Sequence, residues 1–403
     1  MWTTKKELQT ALKLSCVAKE ENGYLHFRPT YDKNPQIVED VMADHSVNAT
    51  QGARRVNNSM RWIGHGQMRA WCALYETHFY FNDSLEGEIY VSYNAFADAV
   101  RGLDGREVEL LIDNGSLWLF QGQDSIYLRG FPLHEEVKNK MPVFDFSQAH
   151  KCHLNGYELN GLSDILGQLV AIPNKENAAL LMDSVTINNA YSLGKEFLFV
   201  STKNARMAGI GHQEIYRWGG VGILQIPANA ARKIVHAQKL LKPADAEIKI
   251  GGKEILFNYG RWEISSKLAE QEMINPDLLQ APDDAVSFVM NTAQFKALLK
   301  KAKVFSYKVD IVYAEGALLA HCGGQEWNLK SSVESAPAHA QQMPQEIEFS
   351  LLIDDVLPVV SHIATPEVKL SYKGPMWPVW LRAGRMRYGV VPIRKNEGEE
   401  DGK

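Results

Sequence analysis

Apolar residues recur at a spacing of three or four in six stretches of this chain, and at every second position through most of what lies between. The first pattern predicts amphipathic helices and the second half-buried strands. The clearest block runs from Ile223 to Lys267. Ala230, Ile234, Ala237 and Leu241 make one helix face and Arg232, His236 and Lys239 another; Pro227 fits the first helical turn, where its missing N–H costs nothing. Past Pro243 the period becomes two: Ile248 and Ile250, a turn at Gly251-Gly252, then Ile255, Phe257 and Tyr259.

The same order of strand, helix and three strands occurs twice more. Upstream it is IYVSYNAFADAVRGL followed by REVELLIDNGSLWLFQGQDSIYLRGFP, and downstream IEFSLLIDDVLPVVSHI followed by PEVKLSYKGPMWPVWLRAGRMRYGVVPIR. Copies more than 100 residues apart are too widely spaced for a solenoid and fit similar domains in tandem. Another helical pattern precedes each copy: Thr4 to about Ala18, Leu159 to Ala171, and Thr292 to Val304. In the first of these, Thr4 is placed to cap and Glu7 sits at the capping-box position. The chain therefore reads as α+β, with three domains at 1–147, 148–282 and 283–395, each holding two helices and antiparallel strands. Residues 396–403 are polar and acidic and have the composition of a disordered tail. One stretch breaks the pattern: residues 27–68 show little periodicity and several turn signals, and read as a divergent or inserted segment, partly a long loop. Alternation resumes at Arg69–Phe81, with Trp71, Ala73, Tyr75, Thr77 and Phe79 on one side.

Composition adds a few exclusions. With 403 residues, 45% hydrophobic and 23% charged, the chain has an ordinary soluble make-up. No apolar run approaches the roughly 20 residues of a membrane span, and the first residues are too polar for a signal peptide, so a cytoplasmic location without membrane association is expected. Cys16, Cys72, Cys152 and Cys322 form no CxxC and read as reduced thiols. A net charge of −5 argues against indiscriminate nucleic-acid binding but leaves room for a local basic face. There is no GxGxxG, P-loop or GxSxG, and no close His/Cys/Asp cluster has metal spacing. Cys152 and His153 are neighbours on a strand pattern and point apart. A non-enzymatic protein without metal or cofactor is expected.

Two motifs carry a family resemblance. The ending RYGVVPIR is similar to the closing motif of the bacterial DNA polymerase III beta subunit, the beta sliding clamp. VSTKNARMA, residues 200–208, resembles that family's second-domain turn, Thr-Asp-Gly-His-Arg-Leu-Ala. Order of elements and three-domain length match as well, over residues 85–394 and 1–20, whereas 27–68 depart. The resemblance implies a head-to-tail homodimer, a ring whose helices line a hole for duplex DNA and whose sheets form the outer wall. It implies no catalysis: the ring tethers the replicative DNA polymerase, the clamp loader and other proteins bearing a clamp-binding motif.

Three sets of residues follow from it. A partner-peptide pocket would use Met182, Thr202, Asn204, Arg206, Met207, Pro276, Gln280, Ala281, Met376, Pro378, Val390, Val391, Pro392, Ile393 and Arg394, a set rich in the apolar and adaptable side chains that suit a short linear peptide. Asn204 stands where the family has Gly, and Asn tolerates a left-handed turn; Gln280 stands where Arg is usual. The DNA channel would be lined by Lys6 and Lys13, Arg232 and Lys239, and Lys296, Lys300 and Lys303, each set opposite an apolar helix face. A solvated surface would look the same on any one helix, but recurrence in three domains suits diffuse phosphate attraction. The helices at 159–171 and 352–363 offer no Lys or Arg, so the lining is uneven. The subunit interface would pair Ile126 with Val304 and Phe305.

Overall fold

Three of the described helices begin where a strand ends on a residue able to cap. Thr4 Oγ1 accepts from the Glu7 amide at 3.1 Å, Ser92 Oγ from Ala95 at 3.4 Å and Asn291 Oδ1 from Gln294 at 3.0 Å. The helices they open are α1 (Lys5–Leu14), α2 (Tyr93–Gly102) and, further on, α5 (Thr292–Phe305); between and after them come α3 (Gly156–Leu169), α4 (Ala228–Leu241) and α6 (Ile353–His362). Pro227 ends the strand before α4 and does not enter the helix. The computed structural model describes residues 1–15, 23–30, 52–56, 59–105, 107–132, 141–172, 184–192, 194–216, 218, 222–269, 274–314, 317–329, 331–335 and 346–393. Cys16, Met182, Arg394 and the tail 396–403 lie outside them. None of the helices described is long and apolar enough to cross a membrane.

The fold is α+β, and the strand pairings among the described residues are antiparallel. The chain separates into two compact units, Met1–Gly156 with His236–Lys267, and Tyr157–Val235 with Leu268–Lys403. In the first unit a four-stranded sheet runs Trp2–Thr4, Glu107–Asp113, Ser116–Gln121, Asp124–Arg129. A nine-stranded sheet joins His150–Asn155 and the three strands of 245–267 to Tyr75–Glu86, Ser59–Trp71, Tyr24–Pro29 and Ile89–Ser92. Its central ladder sets Trp262 opposite Phe79 and Ile264 opposite Thr77. The second unit repeats this plan, with a four-stranded sheet and a nine-stranded one in which Met207 stands opposite Val390 and Gly211 opposite Met386. In both sheets, strands assigned from the sequence to successive domains share a continuous ladder. The compact units follow these ladders, whereas the three-domain division describes the order of elements.

Cores form where apolar helix faces meet the inner sheet face. Leu8, Ala11 and Leu12 of α1, Phe96 and Val100 of α2, and Leu110, Leu117 and Leu119 are all buried, as are Phe295, Leu299 and Ala302 of α5 and Val356 and Val360 of α6. Each such large side chain contributes about 1.5–3 kcal/mol on burial.

The stretch 27–68 departs from its loop-rich expectation. Its described parts are strands: Tyr24–Pro29 pairs with Ser59–Trp71, and Gly52–Val56 forms a hairpin with the latter. The alternation was hidden because the second face of this sheet is a polar layer, itself buried. His26, Gln67 and Glu76 have little exposure. Arg28 Nε donates to Gln67 Oε1 at 2.7 Å, Arg69 Nε to Glu76 Oε2 at 2.8 Å, and Tyr80 Oη to Glu263 Oε2 at 2.5 Å. Polar residues on both an exposed and a buried face read alike in sequence. Arg69–Phe81 is likewise two strands, with the turn at residues 72–74, so Ala73 lies in the turn and not on the buried face.

Candidate binding cleft, helix faces and edge strands

Three segments of the second unit converge on a cleft of about 510 Å³. The first is the hairpin turn after Thr202-Lys203. Asn204 Oδ1 accepts from the amides of Arg206 (2.8 Å) and Met207 (2.7 Å), and its Nδ2 donates to Ile172 O at 2.7 Å. Asn204 therefore shapes the turn through its side chain; among the described residues only Asn114 and Lys242 are non-glycine residues with positive φ, so the left-handed backbone expected here is absent. The second segment is a 3₁₀ turn, Pro276–Leu279, capped by Asn275 Oδ1. Leu279 is buried with Ile210 and Ile274, and Trp380 Nε1 donates to Leu278 O at 3.2 Å. Gly389 permits this approach, because a Cβ there would lie 3.0 Å from Leu279 Cδ2. The third is the C-terminal strand, Met386–Val390, and its extension, where Val391 N donates to Arg206 O at 2.8 Å.

Of the expected pocket residues, Asn204, Arg206, Met207, Gln280, Pro378 and Val391 line the cleft. Thr202 is buried beneath it, donating to Ser184 O at 2.8 Å. Ala281 lines a neighbouring groove, Met376 is exposed outside the lining, Val390 and Pro392 are buried, and Ile393 bridges to Ser350. Pro276 opens the 3₁₀ turn, its side chain outside the described set, and Met182 and Arg394 lie outside it altogether. Sequence reading missed the most exposed apolar wall: Leu278 at 66% and Trp377 at 47%, beside Val391 at 54%. Lys373 holds Trp377 with its ammonium 4.6 Å from the ring centre while pairing with Asp284 at 2.8 Å. Arg206 reaches Asp355 at 4.0 Å, whose carboxyl burial pushes up against the pull of that cation.

The cations of the helices divide into two kinds. In each helix pair one of them reaches the C-terminal carbonyls of the companion helix. Lys5 of α1 donates to Arg101 O in the last turn of α2 (3.2 Å) and to Leu103 O just after it. Arg232 of α4 donates to Val170 O, after α3, from Nε (3.2 Å) and Nη2 (3.0 Å), and Lys296 of α5 to Ser361 O of α6 at 2.9 Å. A cation there offsets the negative end of the helix dipole. Two of the expected channel residues, Arg232 and Lys296, are thus half-buried caps. Lys303 pairs with Asp354 at 2.6 Å. Lys6, Lys13, Lys239 and Lys300 are exposed, and their side chains make no hydrogen bond or ion pair among the described residues.

Of the expected interface residues, Ile126 is half-buried on Asp124–Arg129, an edge strand of the first unit's smaller sheet. Val304 and Phe305, at the end of α5, are 81% and 54% exposed, and the Phe305 ring lies 6.2 Å from Trp327. Trp327, which sequence reading did not single out, sits on Gln325–Leu329, an edge strand of the second unit's smaller sheet.

No family model and no curated protein matches the sequence. Solved structures do match the fold. The beta subunit of DNA polymerase from Streptococcus pyogenes superimposes with a TM-score of 0.74 at 13% identity, covering 98% of this chain and 99% of that one. The DNA polymerase III beta subunit of Thermotoga maritima gives 0.73 at 11%, and the sliding clamp of Pseudomonas aeruginosa bound to griselimycin 0.73 at 11%, with the same coverage. Sequence identity this low goes with a fold kept along the full length of both chains. The chain has the fold of the bacterial DNA polymerase III beta sliding clamps.

Proposed function

We propose that this protein is a DNA sliding clamp: a processivity factor that encircles duplex DNA without sequence preference and tethers the replicative polymerase and other partners. The observation that carries this reading is the likeness to beta clamps over 98% of the chain. On this reading the three domains close head to tail as a cytoplasmic homodimer, the helices face DNA, and the polymerase, the clamp loader and other clamp-binding-motif proteins compete for the cleft at Met207, Trp377 and Val391. No catalytic step is involved.

Retention by topology requires weak direct contact, carried by Lys6, Lys13, Lys239 and Lys300. A loaded clamp is expected to stay on circular duplex and run off linear duplex. Lys239→Ala with Lys300→Ala should lower the log–log salt slope of binding by about 0.9 for each phosphate that these lysines neutralise. Lys296→Ala should leave that slope alone and instead cost about 1 kcal/mol of stability, as removal of a helix cap does. Tight, sequence-specific binding to a short linear duplex would contradict the reading.

Closure is expected to place Ile126 of one subunit against Val304 and Phe305 of the next, joining two edge strands that otherwise leave backbone groups unpaired. Phe305→Asp puts a charge in that contact and should weaken dimerisation by roughly 30-fold or more. Light scattering that finds the natural protein monomeric at micromolar concentration would defeat this.

A second reading is a ring-forming structural protein that is never loaded on DNA. It is favoured by the engagement of Arg232, Lys296 and Lys303 within the fold and by the net charge of −5. Under it, the Lys239/Lys300 variant would change nothing measurable.

A further inference from the structure

Beside the apolar cleft the sheet carries a row of like charges. Lys369 stands opposite Arg382, and Arg382 opposite Arg387, on three adjacent strands. Like charges directly opposite one another repel. Neither Arg382 nor Arg387 has a carboxylate partner among the described residues; Arg387 Nη1 donates to Gln280 Oε1 at 3.4 Å. The row lines a groove of about 340 Å³ in which Asp283 is the one carboxylate among the lining residues. The local field is felt at His212, whose imidazole is held below its ordinary value by burial and then by Arg387, Arg385 and Arg382. Groove and cleft share Leu279, Gln280, Pro282 and Trp380, so a peptide leaving the cleft passes directly over the cations.

We propose that the peptide received by the cleft carries acidic residues next to its apolar anchors, and that Arg382 and Arg387 receive them. This rests on the peptide-cleft reading above and adds the chemistry of the partner. A polypeptide, and not a nucleic acid, is the occupant because of the face involved. Met386 and Tyr388 are buried, and lie close to the point where a Cβ at Gly211 or Gly209 would meet Ile165 and Leu169 of α3. Alternation along the strand turns Arg387 to the face away from that helix.

The test uses the full chain, its double variant Arg382→Gln/Arg387→Gln, and two labelled peptides with the same apolar anchors, one flanked by Ser and one by Asp and Glu. Fluorescence anisotropy at low salt should show the acidic peptide binding roughly tenfold more tightly to the natural protein, the sum of two or three partly screened charge pairs. The gap should close in high salt and in the double variant, with the Ser-flanked peptide unchanged throughout. Equal binding of the two peptides to the natural protein overturns the proposal, as does a gap that survives the double variant. If neither peptide binds, the cleft reading itself fails, and the proposal with it. If single-stranded oligothymidylate displaces the acidic peptide and not the Ser-flanked one, the groove serves nucleic acid and the proposal is wrong.

Discussion

A chain ending at Val390 is expected to bind a clamp-motif peptide at least ~30-fold more weakly than the full protein, while a chain ending at Lys395 binds it normally. The chain ending at Val390 lacks Val391, which lines the cleft and ties the Arg206 turn to the C-terminal strand through a 2.8 Å backbone bond. It also lacks buried Pro392 and the Ile393 amide bond to Ser350 O at 2.9 Å, which fixes the exit of the chain from the sheet. The strand Met386–Val390 keeps its ladders to Val379–Ala383 and Met207–Ile215, so the sheet should persist. Point variants refine the expectation. Trp377→Ala removes an exposed anchor and should cost about 2 kcal/mol of binding with little change in melting. Trp380→Ala removes a buried ring and the bond that seats the Pro276–Leu279 turn, and should cost about 3–5 kcal/mol of stability. Anisotropy and thermal melts on the same samples separate the two. If the chain ending at Val390 stays folded with full affinity, the cleft is not the peptide site.

What could be read in advance was what one segment decides by itself. Phe295, Leu298, Leu299 and Ala302 define α5 from spacing alone, and Asn291 caps it as its side chain allows. The roles of Arg232 and Lys296 were not legible. Helical spacing says which face a cation occupies, but the carbonyl it meets belongs to a companion helix 62 or 65 residues away in sequence. The cleft was half legible. Val390 to Ile393 announced themselves through the resemblance, yet Leu278 and Trp380 are cleft residues only because a 3₁₀ turn folds onto the sheet, and no local pattern encodes that docking. The ladders Trp262–Phe79 and Met207–Val390 were invisible for a related reason, since any two alternating strands are compatible until the rest of the sheet chooses. The stretch 27–68 failed differently: His26, Arg28, Gln67 and Arg69 obey the period of two, but their buried partners are polar, so apolar counting could not see it.

That polar layer is expected to make the first unit lose stability as pH falls. Glu76 is buried, which by itself raises its carboxyl, but the hydrogen bond and charge of His78 and the charge of Arg69 outweigh burial and hold it below the ordinary range. A carboxylate depressed in the fold contributes stability above its unfolded value and loses it as pH falls through the folded one. His26 adds to this from the other direction. Burial, then Arg28, Arg69 and His78, lower its imidazole from 6.5 to about 3; Glu88, 2.7 Å away, is half-exposed and screened by water. The fold therefore holds His26 neutral while the unfolded chain protonates it below about pH 6.5, so the unfolded state binds more protons and stability again falls with pH. By pH 5 the His26 contribution alone is a loss of about 2 kcal/mol relative to pH 7. His26→Asn should flatten the stability profile between pH 7 and 5, leaving the Glu76 part at lower pH. Glu76→Ala should be far more damaging at pH 7, about 3–5 kcal/mol, because it strands the Arg69 guanidinium without its carboxylate. Arg69→Met with Glu76→Leu removes both charges and should recover most of that loss. Urea unfolding followed by tryptophan fluorescence reports on the unit through buried Trp71 and Trp262. A Glu76→Ala protein as stable as the natural one, or a His26→Asn protein with an unchanged pH profile, would show that the layer is solvated and that its charges do not hold the sheet.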